Sequence, residues 1–499
     1  MLLAALIVCP LVFSGLCLLL RRGAAWRLFL VAGAALHLAI VLGTWRAPAP
    51  FAPDALIGLD APGHLLLTLV SVLFLAVAIY SVGYHQQALV SQQVACMLAM
   101  LCVLSLVCAS QHLGLLWVAL EAASLTATPL IYFRLGPRSL QATWKFLLMN
   151  SVGIALALLG TLALGLSTTP VPGPISLAVG QLTPLAAGLD PVWLRAGFLL
   201  ALVGFGTKMG LAPLQSWKPD AYGESPPTVA ALLAGGMTLG AFLAILRFVQ
   251  VANAAGQSQF VAFWLIGFGL LSIATAAVFV IGGTDYRRLL AYTSVEHMGV
   301  LVLGTGLGVA GSYAAMLHAL HNTLNKGVLF LVAGLLWRLY RTNRTGEIRG
   351  VLARHPLVGV LLLLGLCATC GLPPFGMFYS ELGILLAAAG QGRWWTLALF
   401  VLTLGVLFVG LVSAVLPMAF GEPVEVSKRP PQHPAGWGWR RVAMLLPTAA
   451  LALLALGLGI YQPPAVRDAL KSAAATVVAS TPSTVAGAAG ADLIAEARR

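Results

Sequence analysis

The sequence predicts an all-α, polytopic membrane protein with about fourteen transmembrane helices. Three properties of the 499 residues support this fold class: 60% are apolar, only 9% are charged, and the mean hydropathy is +0.95. Soluble domains carry about a quarter charged residues, so this chain has too few charges to cover a water-facing surface. The composition therefore excludes a cytosolic enzyme, and it also excludes disordered and collagen-like chains.

Apolar segments of about 20 residues, the length of a spanning helix, follow one another without an intervening soluble domain. The first segment is not interpreted as a signal peptide, because no positive charge precedes it and Arg21 and Arg22 follow it. The predicted spans are 2–20, 26–45, 62–82, 91–109, 112–133, 143–165, 194–214, 227–249, 261–282, 288–309, 312–338, 356–388, 394–419 and 442–461.

The basic residues predict the orientation of these spans. The net charge is +13, from 28 Lys and Arg against 15 Asp and Glu, and most basic residues fall in alternate connections. The positive-inside rule then places both termini outside, on the periplasmic face of a bacterial inner membrane. The loop 166–193 and the tail 463–499, a short helix or a disordered end, lie on that same side. No basic patch alternates with aromatic residues, so we expect no nucleic-acid partner.

Cofactor-binding patterns are weak throughout the chain. Cys367 and Cys370 have the spacing of a redox or zinc pair, but no second pair accompanies them, so we interpret them as structural. There is no phosphate-binding Walker loop and no dinucleotide fingerprint. We therefore expect no metal, no cofactor and no catalytic residue in this chain.

Five charged residues lie within apolar segments or at their edges, where a charge costs about 2.5–3.5 kcal/mol. They are Glu121, Lys208, Lys326, Glu381 and, nearer a helix end, Glu296. Such residues are functional candidates. Glu121 and Lys208 have opposite signs, so we expect them to pair, which lowers the cost of each and creates a switch that a nearby charge can open.

One predicted helix, 316–338, carries a polar stripe. His318, His321, Asn322, Asn325 and Lys326 follow helical spacing and share one face. We interpret this face as a hydrated proton relay. A haem site is the alternative, with His318 or His321 as an axial ligand. It would need a facing histidine, which His37, His112 or His297 could supply.

Two predicted helices contain breaks. Gly206, Gly210 and Pro213 interrupt one, and the stretch 371–376, with Pro373 and Pro374, interrupts the other just before Glu381. Paired interruptions, here about 160 residues apart from Pro213 to Pro373, indicate inverted-repeat transporters. The predicted units are helices 1–3 in 1–90, repeats of five helices in 91–250 and 251–420, helix 14 in 421–462, and the tail 463–499.

Several motifs resemble a known superfamily. They are GTKMGLAP at 206–213, WKPDA at 217–221, DYRRLLAYTSVEHMG at 285–299 and KGVLF at 326–330. Over roughly residues 80–420 the chain resembles the antiporter-like proton-pumping subunits of respiratory complex I, multisubunit cation/proton antiporters and membrane-bound nickel–iron hydrogenases. ALEAA at 119–123, ATWK at 142–145 and SVEHMG at 294–299 are most similar to the F-type membrane subunit of group-four hydrogenases and formate hydrogenlyases.

The resemblance implies fourteen helices, periplasmic termini, two inverted five-helix repeats and broken helices 7 and 12. By position, Glu121 and Lys208 match the coupling pair of the family, Lys326 its helix 11 lysine, and Glu381 its helix 12 exit group. Glu296, His297 and Lys145 are further possible members of the relay.

Three departures separate the chain from the family pattern. The helix 8 lysine has no counterpart, since residues 237–240 are uncharged, and the usual His-x-Trp-Leu-Pro-Asp reads QSWKPD at 215–220. The usual Asn-His before the helix 11 lysine reads His321-Asn322. The missing lysine leaves a gap in the relay that water or His318 could fill.

Three hypotheses about function therefore stay open. The first is a proton-translocating membrane subunit of a hydrogenase-like redox complex, with other membrane subunits and a soluble redox arm as partners. The second is a sodium or potassium/proton antiporter subunit. The third is a structural membrane anchor with a degenerate path. Under the first hypothesis this chain breaks no substrate bond, and it would be the non-redox membrane subunit of an oxidoreductase complex.

Overall fold

The computed structural model describes residues 2–19, 25–48, 50–84, 90–422 and 437–478. Regular structure in these residues is helical, and the strand-like pairings are isolated bridges. The helices are α1 (Leu2–Leu19), α2 (Ala25–Arg46), α3 (Ala61–Tyr84), α4 (Val90–Ala109), α5 (Leu113–Ile131), α6 (Pro137–Leu166), α7 (Val179–Leu185), α8 (Pro191–Met209), α9 (Trp217–Glu224), α10 (Pro227–Leu232), α11 (Thr238–Ala254), α12 (Ser258–Val280), α13 (Tyr286–Thr305), α14 (Gly308–Tyr340), α15 (Val351–Arg354), α16 (Pro356–Thr369), α17 (Gly376–Gly390), α18 (Trp394–Phe420), α19 (Trp437–Ile460) and α20 (Pro464–Val478).

Twelve of the described helical spans are long and apolar enough to cross a membrane. One of them joins α10 to α11 through a π-helical turn, Leu233–Met237. The polar helix α13 and the interrupted pair α16–α17 supply two further spans of the bundle. The prediction of about fourteen spans in an all-α membrane protein is confirmed.

Small residues bring neighbouring helices close together where Lys208 and His297 lie. A Cβ added to Gly204 of α8 would collide with the backbone of Gly153 and Ala157 in α6. In the same way, Gly269 of α12 lies against the backbone oxygen of Gly299 in α13. Such close approaches are a common basis of helix association in membranes. They fix the helices that carry Lys208 and His297.

Both predicted breaks are present, in the seventh and twelfth spans. Gly210 ends α8 with φ +79°, and Gly371 follows α16 with φ +58°, a conformation that glycine adopts without strain. A proline stands three residues after each glycine, at Pro213 and Pro374. Pro374, next to Pro373, therefore has the same position in the second break that Pro213 has in the first.

A buried ion pair fixes one end of the bundle. Arg247, in α11, donates from Nη2 to Oδ1 of Asp60 at 2.7 Å and from Nη1 to Oδ2, and Asp60 immediately precedes α3. Arg247 is 1% exposed. The tail helix α20 packs nearby, and Asn253 Nδ2 donates to the carbonyl of Val477 at 3.3 Å. The first part of the predicted tail 463–499 is thus a docked helix, and 479–499 lie outside the described residues.

Candidate functional site

Glu121 and Lys208 form the first element of the site. Lys208 lies in the last turn of α8, and its Nζ is 3.0 Å from Oε2 of Glu121 on α5. The same ammonium donates to the carbonyl of Leu120 at 3.3 Å and to the hydroxyl of Ser124. The side chain of Lys208 is fully buried, whereas that of Glu121 is 28% exposed. A buried ammonium thus depends on a carboxylate that stays accessible from outside the chain.

Lys145 lies in a separate, more exposed ion-pair cluster. Its Nζ is 2.5 Å from Oδ2 of Asp220 on α9, and Arg288 reaches Oδ1 of the same aspartate at 3.1 Å. The side chains of Lys145 and Arg288 are about half exposed. This cluster marks the surface end of the half-helix α9 and does not touch the buried pair.

The polar stripe of α14 is buried along its whole length. Lys326 donates to Oγ1 of Thr293 on α13 at 2.5 Å. Asn325 donates to Oγ1 of Thr369 at 2.7 Å and to the carbonyl of Gly365 at 3.2 Å, which ties α14 to the end of α16. Glu296, expected near a helix end, is instead fully buried within α13. Asn322 is buried on the same stripe.

Two histidines form a short directional chain. Ser380 donates to the carbonyl of Met377 at 2.7 Å, so its oxygen accepts from Nδ1 of His318 at 2.8 Å. In the neutral ring, Nε2 of His318 is then the acceptor, and Nδ1 of His297 donates to it at 3.2 Å. Nε2 of His297 is left as a buried acceptor without a hydrogen-bond partner among the described residues. A proton added there can be passed on toward Ser380.

Glu381 lies beside this chain in α17. A Cβ added to Gly371 would collide with Oε2 of Glu381, so the glycine of the second break makes room for the carboxylate. Ligand atoms of His297, His318 and Glu381 all lie within 4.8 Å of one another, which is a possible metal-ligand set. Because the two imidazoles are hydrogen-bonded to each other, the geometry fits proton transfer better than a shared metal.

The histidines that the haem alternative needs have other partners. His297 and His318 contact each other directly, which leaves no space for a porphyrin between them. His37 lies between Ser71 and Ser105, at 3.0 and 2.8 Å, and His112 accepts from the amide of Gly114 at the start of α5. The ring of His321 packs directly against Gly376 at the start of α17. The contacts of His37, His112, His297 and His318 therefore fit hydrogen bonding within the protein better than ligation of a haem iron.

Three buried cations were missed because sequence reasoning placed them in loops or at span ends. Lys218 and Arg287 are 0% exposed, and Arg247 pairs with Asp60 as described above. Arg287 donates to the carbonyls of Tyr222 and Ser225, at 2.9 Å for Tyr222, and so holds the end of α9 against α13. The positive-inside count treats such residues as water-exposed. In the sequence, the burial of Lys218 is indicated only by its position in the motif, where the family has leucine.

Two lysines on either side of the break in the seventh span are thus buried in the interior. Lys208 closes α8, and Lys218 returns from α9 to pack against Gly210 in the break. A carboxylate, Glu381, packs in the same way against Gly371 in the second break.

A family model described as NADH:quinone oxidoreductase/Mrp antiporter, transmembrane, matches residues 110–407. The chain belongs to this family. The resemblance drawn from the motifs is therefore confirmed.

Relatives in the family cover most of the chain. Hydrogenase-4 component F homolog from Methylacidiphilum infernorum is 34% identical over 378 residues, which are 74% of this chain and 75% of the relative. NADH-quinone oxidoreductase subunit 14 from Thermus thermophilus is 31% identical over 431 residues, 85% of this chain and 90% of the relative. A chain of respiratory complex I from Thermus thermophilus matches with a TM-score of 0.74 and 28% identity, covering 95% of this chain and 100% of that one.

Proposed function

We propose that this chain is a proton-translocating membrane subunit of a hydrogenase-like redox complex. The observation that carries the proposal is a series of ionisable groups from the Glu121–Lys208 pair, through Lys326 and the two histidines, to Glu381, and all of them except Glu121 are buried. Isolated charges in a membrane interior are costly and mark ion pathways. Membership of a family named for quinone oxidoreductases and antiporters, and the likeness to hydrogenase-4 component F, support a redox complex as the source of energy.

The ion pair is the switch in this proposal. Glu121 is reachable from outside the chain, so a rearrangement in a neighbouring subunit can draw it away from Lys208. The ammonium would then be buried without a counter-charge, which favours loss of its proton. The released proton moves along α13 and α14, by way of Lys326, His297, His318 and His321, and leaves at Glu381. Glu296 and Lys145 are the possible additional members.

The remaining assignments complete this proposal. We place both termini on the periplasmic side of a bacterial inner membrane, because most basic residues fall in the opposite connections. Residues 91–250 and 251–420 form the two inverted repeats. The partners are other membrane subunits and a soluble redox arm, which carries out the electron transfer that this chain does not perform.

Reconstitution of the whole complex tests the function. The purified complex is placed in proteoliposomes, and internal pH is followed with a dye while the complex oxidises its donor. Electron flow should acidify one compartment, without any requirement for sodium, and Glu121→Gln should reduce proton movement by at least about tenfold. A flux that needs sodium would instead favour an antiporter subunit. Proton movement unchanged by Glu121→Gln would favour a structural anchor.

A further inference from the structure

Lys218 is a buried lysine that the relay described above does not use. It lies in the first turn of α9 and is completely inaccessible to solvent. Its Nζ donates to the carbonyl and the hydroxyl of Ser294, at 3.3 and 3.4 Å, and lies 6.0 Å from the ring centre of Tyr222. Among the described residues it forms no ion pair. Burying a lysine with only neutral hydrogen-bond partners lowers stability, so we expect this lysine to have a functional role.

The position of Lys218 is between two groups of the relay. A Cβ added to Gly210 would meet Nζ of Lys218 at 2.9 Å, and Gly210 follows Lys208 by two residues. On its other side, Lys218 contacts α13 through Ser294, which precedes His297 by three residues. Ser294, which accepts from Lys218, is adjacent in α13 to Thr293, which accepts from Lys326. Lys218 therefore bridges the break in the seventh span and the polar stripe of α14.

The eighth span offers nothing for this connection. Residues 227–246 contain no ionisable side chain. Leu233–Met237 is a π-helical turn, and its Gly235 and Gly236 pack against Leu73 and Leu104. The interval between Lys208 and Lys326 is thus apolar on that side, and an ionisable group must come from elsewhere.

We propose that Lys218 is the central proton carrier of this chain and supplies, from the half-helix after the break, the lysine that the eighth span lacks. This inference rests on the proposed proton-translocating function. It also accounts for lysine at a motif position that is leucine in the family pattern, and for a glycine at 210, whose missing side chain gives Lys218 its space.

The transfer step breaks and forms only N–H and O–H bonds. Two buried lysines that repel each other are not both charged at low cost, so one Nζ is a neutral amine when the other is an ammonium. An N–H bond of the Lys218 ammonium breaks as an O–H bond forms on Ser294. The hydroxyl protons of Ser294 and Thr293 each move one place along, and an N–H bond forms on the lone pair of neutral Lys326. Lys218 then accepts the next proton from the Lys208 side. No electron changes place in this chain.

Three variants of the reconstituted complex test the assignment. Lys218→Leu introduces the family residue and removes the titratable group, whereas Lys218→Arg keeps a permanent positive charge that does not release a proton in this range. Lys471→Leu, in α20, removes a partly exposed lysine that is not one of the proposed relay groups and is the control. Assembly is checked by the ratio of subunits in the purified complex, and proton movement is measured per assembled complex.

The expected result is a loss of proton movement of at least about tenfold in both Lys218 variants, with normal assembly, and no change in Lys471→Leu. Full proton movement in Lys218→Leu would overturn the assignment. Full movement in Lys218→Arg would also overturn it, because it would show that only the charge is needed. If Glu121→Gln stops proton movement and Lys218→Leu does not, this inference fails alone; if neither variant has an effect, the proposed function fails with it.

Discussion

Lys208 and Glu121 are in contact at 3.0 Å but differ sharply in exposure, with the lysine fully buried and the glutamate 28% exposed. The pair is therefore asymmetric. Removing the glutamate leaves a buried ammonium without a counter-charge, whereas removing both residues leaves no unpaired charge. This difference allows the effect of the pair on stability to be separated from its effect on proton movement.

Glu121→Gln should destabilise the chain by about 1–3 kcal/mol, less than for a fully buried pair because Glu121 is partly exposed. The double variant Glu121→Gln with Lys208→Met should recover most of that stability, since no unpaired ammonium remains. Thermal unfolding in detergent measures both. Glu347→Gln, in the exposed pair with Arg344, is the control and should change stability by less than about 0.5 kcal/mol. A double variant no more stable than Glu121→Gln would show that the stranded charge is not the cause.

The Asp60–Arg247 pair should contribute strongly to stability. Arg247 is almost completely buried, and Asp60→Asn leaves its guanidinium without a counter-charge. We expect a loss of about 3–5 kcal/mol, the range for one partner removed from a buried pair. Denaturant unfolding of the purified chain gives the value. A loss below about 1 kcal/mol would mean that water reaches the pair.

The same pair predicts a dependence on pH. Burial would raise the pKa of Asp60, but the charge of Arg247 and the hydrogen bonds from Arg247 and the Gly63 amide outweigh it and hold the pKa below the ordinary aspartate value. Stability from this group is present above the pKa of the unfolded chain, about 4. It is lost as the pH falls through the lower, folded value. Unfolding midpoints measured from pH 7 downward should fall below about pH 4 in the wild type, and this component should be absent in Asp60→Asn.

Gly210→Ala should strain the backbone and also displace the side chain of Lys218. Gly210 and Gly256 both have positive φ, +79° and +73°, but only Gly210 has a side chain, that of Lys218, in the space that a Cβ would occupy. We expect Gly210→Ala to reduce proton movement and stability together. Gly256→Ala should lower the free energy of unfolding by about 1–2 kcal/mol through backbone strain alone, and it should leave proton movement unchanged. Equal effects of the two variants on proton movement would argue against the packing of Lys218 on Gly210.

His318→Leu should interrupt the histidine chain without removing a charge. His318 joins His297 to Ser380, and leucine keeps the apolar volume but loses both hydrogen bonds. We expect proton movement to fall by at least about tenfold, while the amount of assembled complex changes little. His318→Gln should recover a small part of the rate. Normal proton movement in His318→Leu would place the path elsewhere on α14.

Much of the fold could be predicted because a membrane imposes simple rules on sequence. The spans follow from apolar length, and the breaks from glycine and proline at Gly210, Pro213 and Pro374. The spacing of His318 and Lys326 on one helix face was sufficient to predict a polar stripe.

The sequence was less informative about basic residues near the ends of the predicted spans. Lys218, Arg247 and Arg287 resemble the ordinary basic residues of span ends, and only the packed structure shows that they are buried. Their burial depends on contacts with Ser294, Asp60 and Tyr222, which are between 65 and 187 residues away in the chain. Local patterns contain no information on such contacts.

The most direct measurement is the rate of proton movement by the reconstituted complex with Lys208→Ala, compared with the wild type and with Lys471→Leu at equal assembly. If the buried groups carry protons, Lys208→Ala should lose at least about nine-tenths of the rate and Lys471→Leu should lose none. A wild-type rate in Lys208→Ala would contradict the proposal that protons cross the membrane through this chain by way of the Glu121–Lys208 pair.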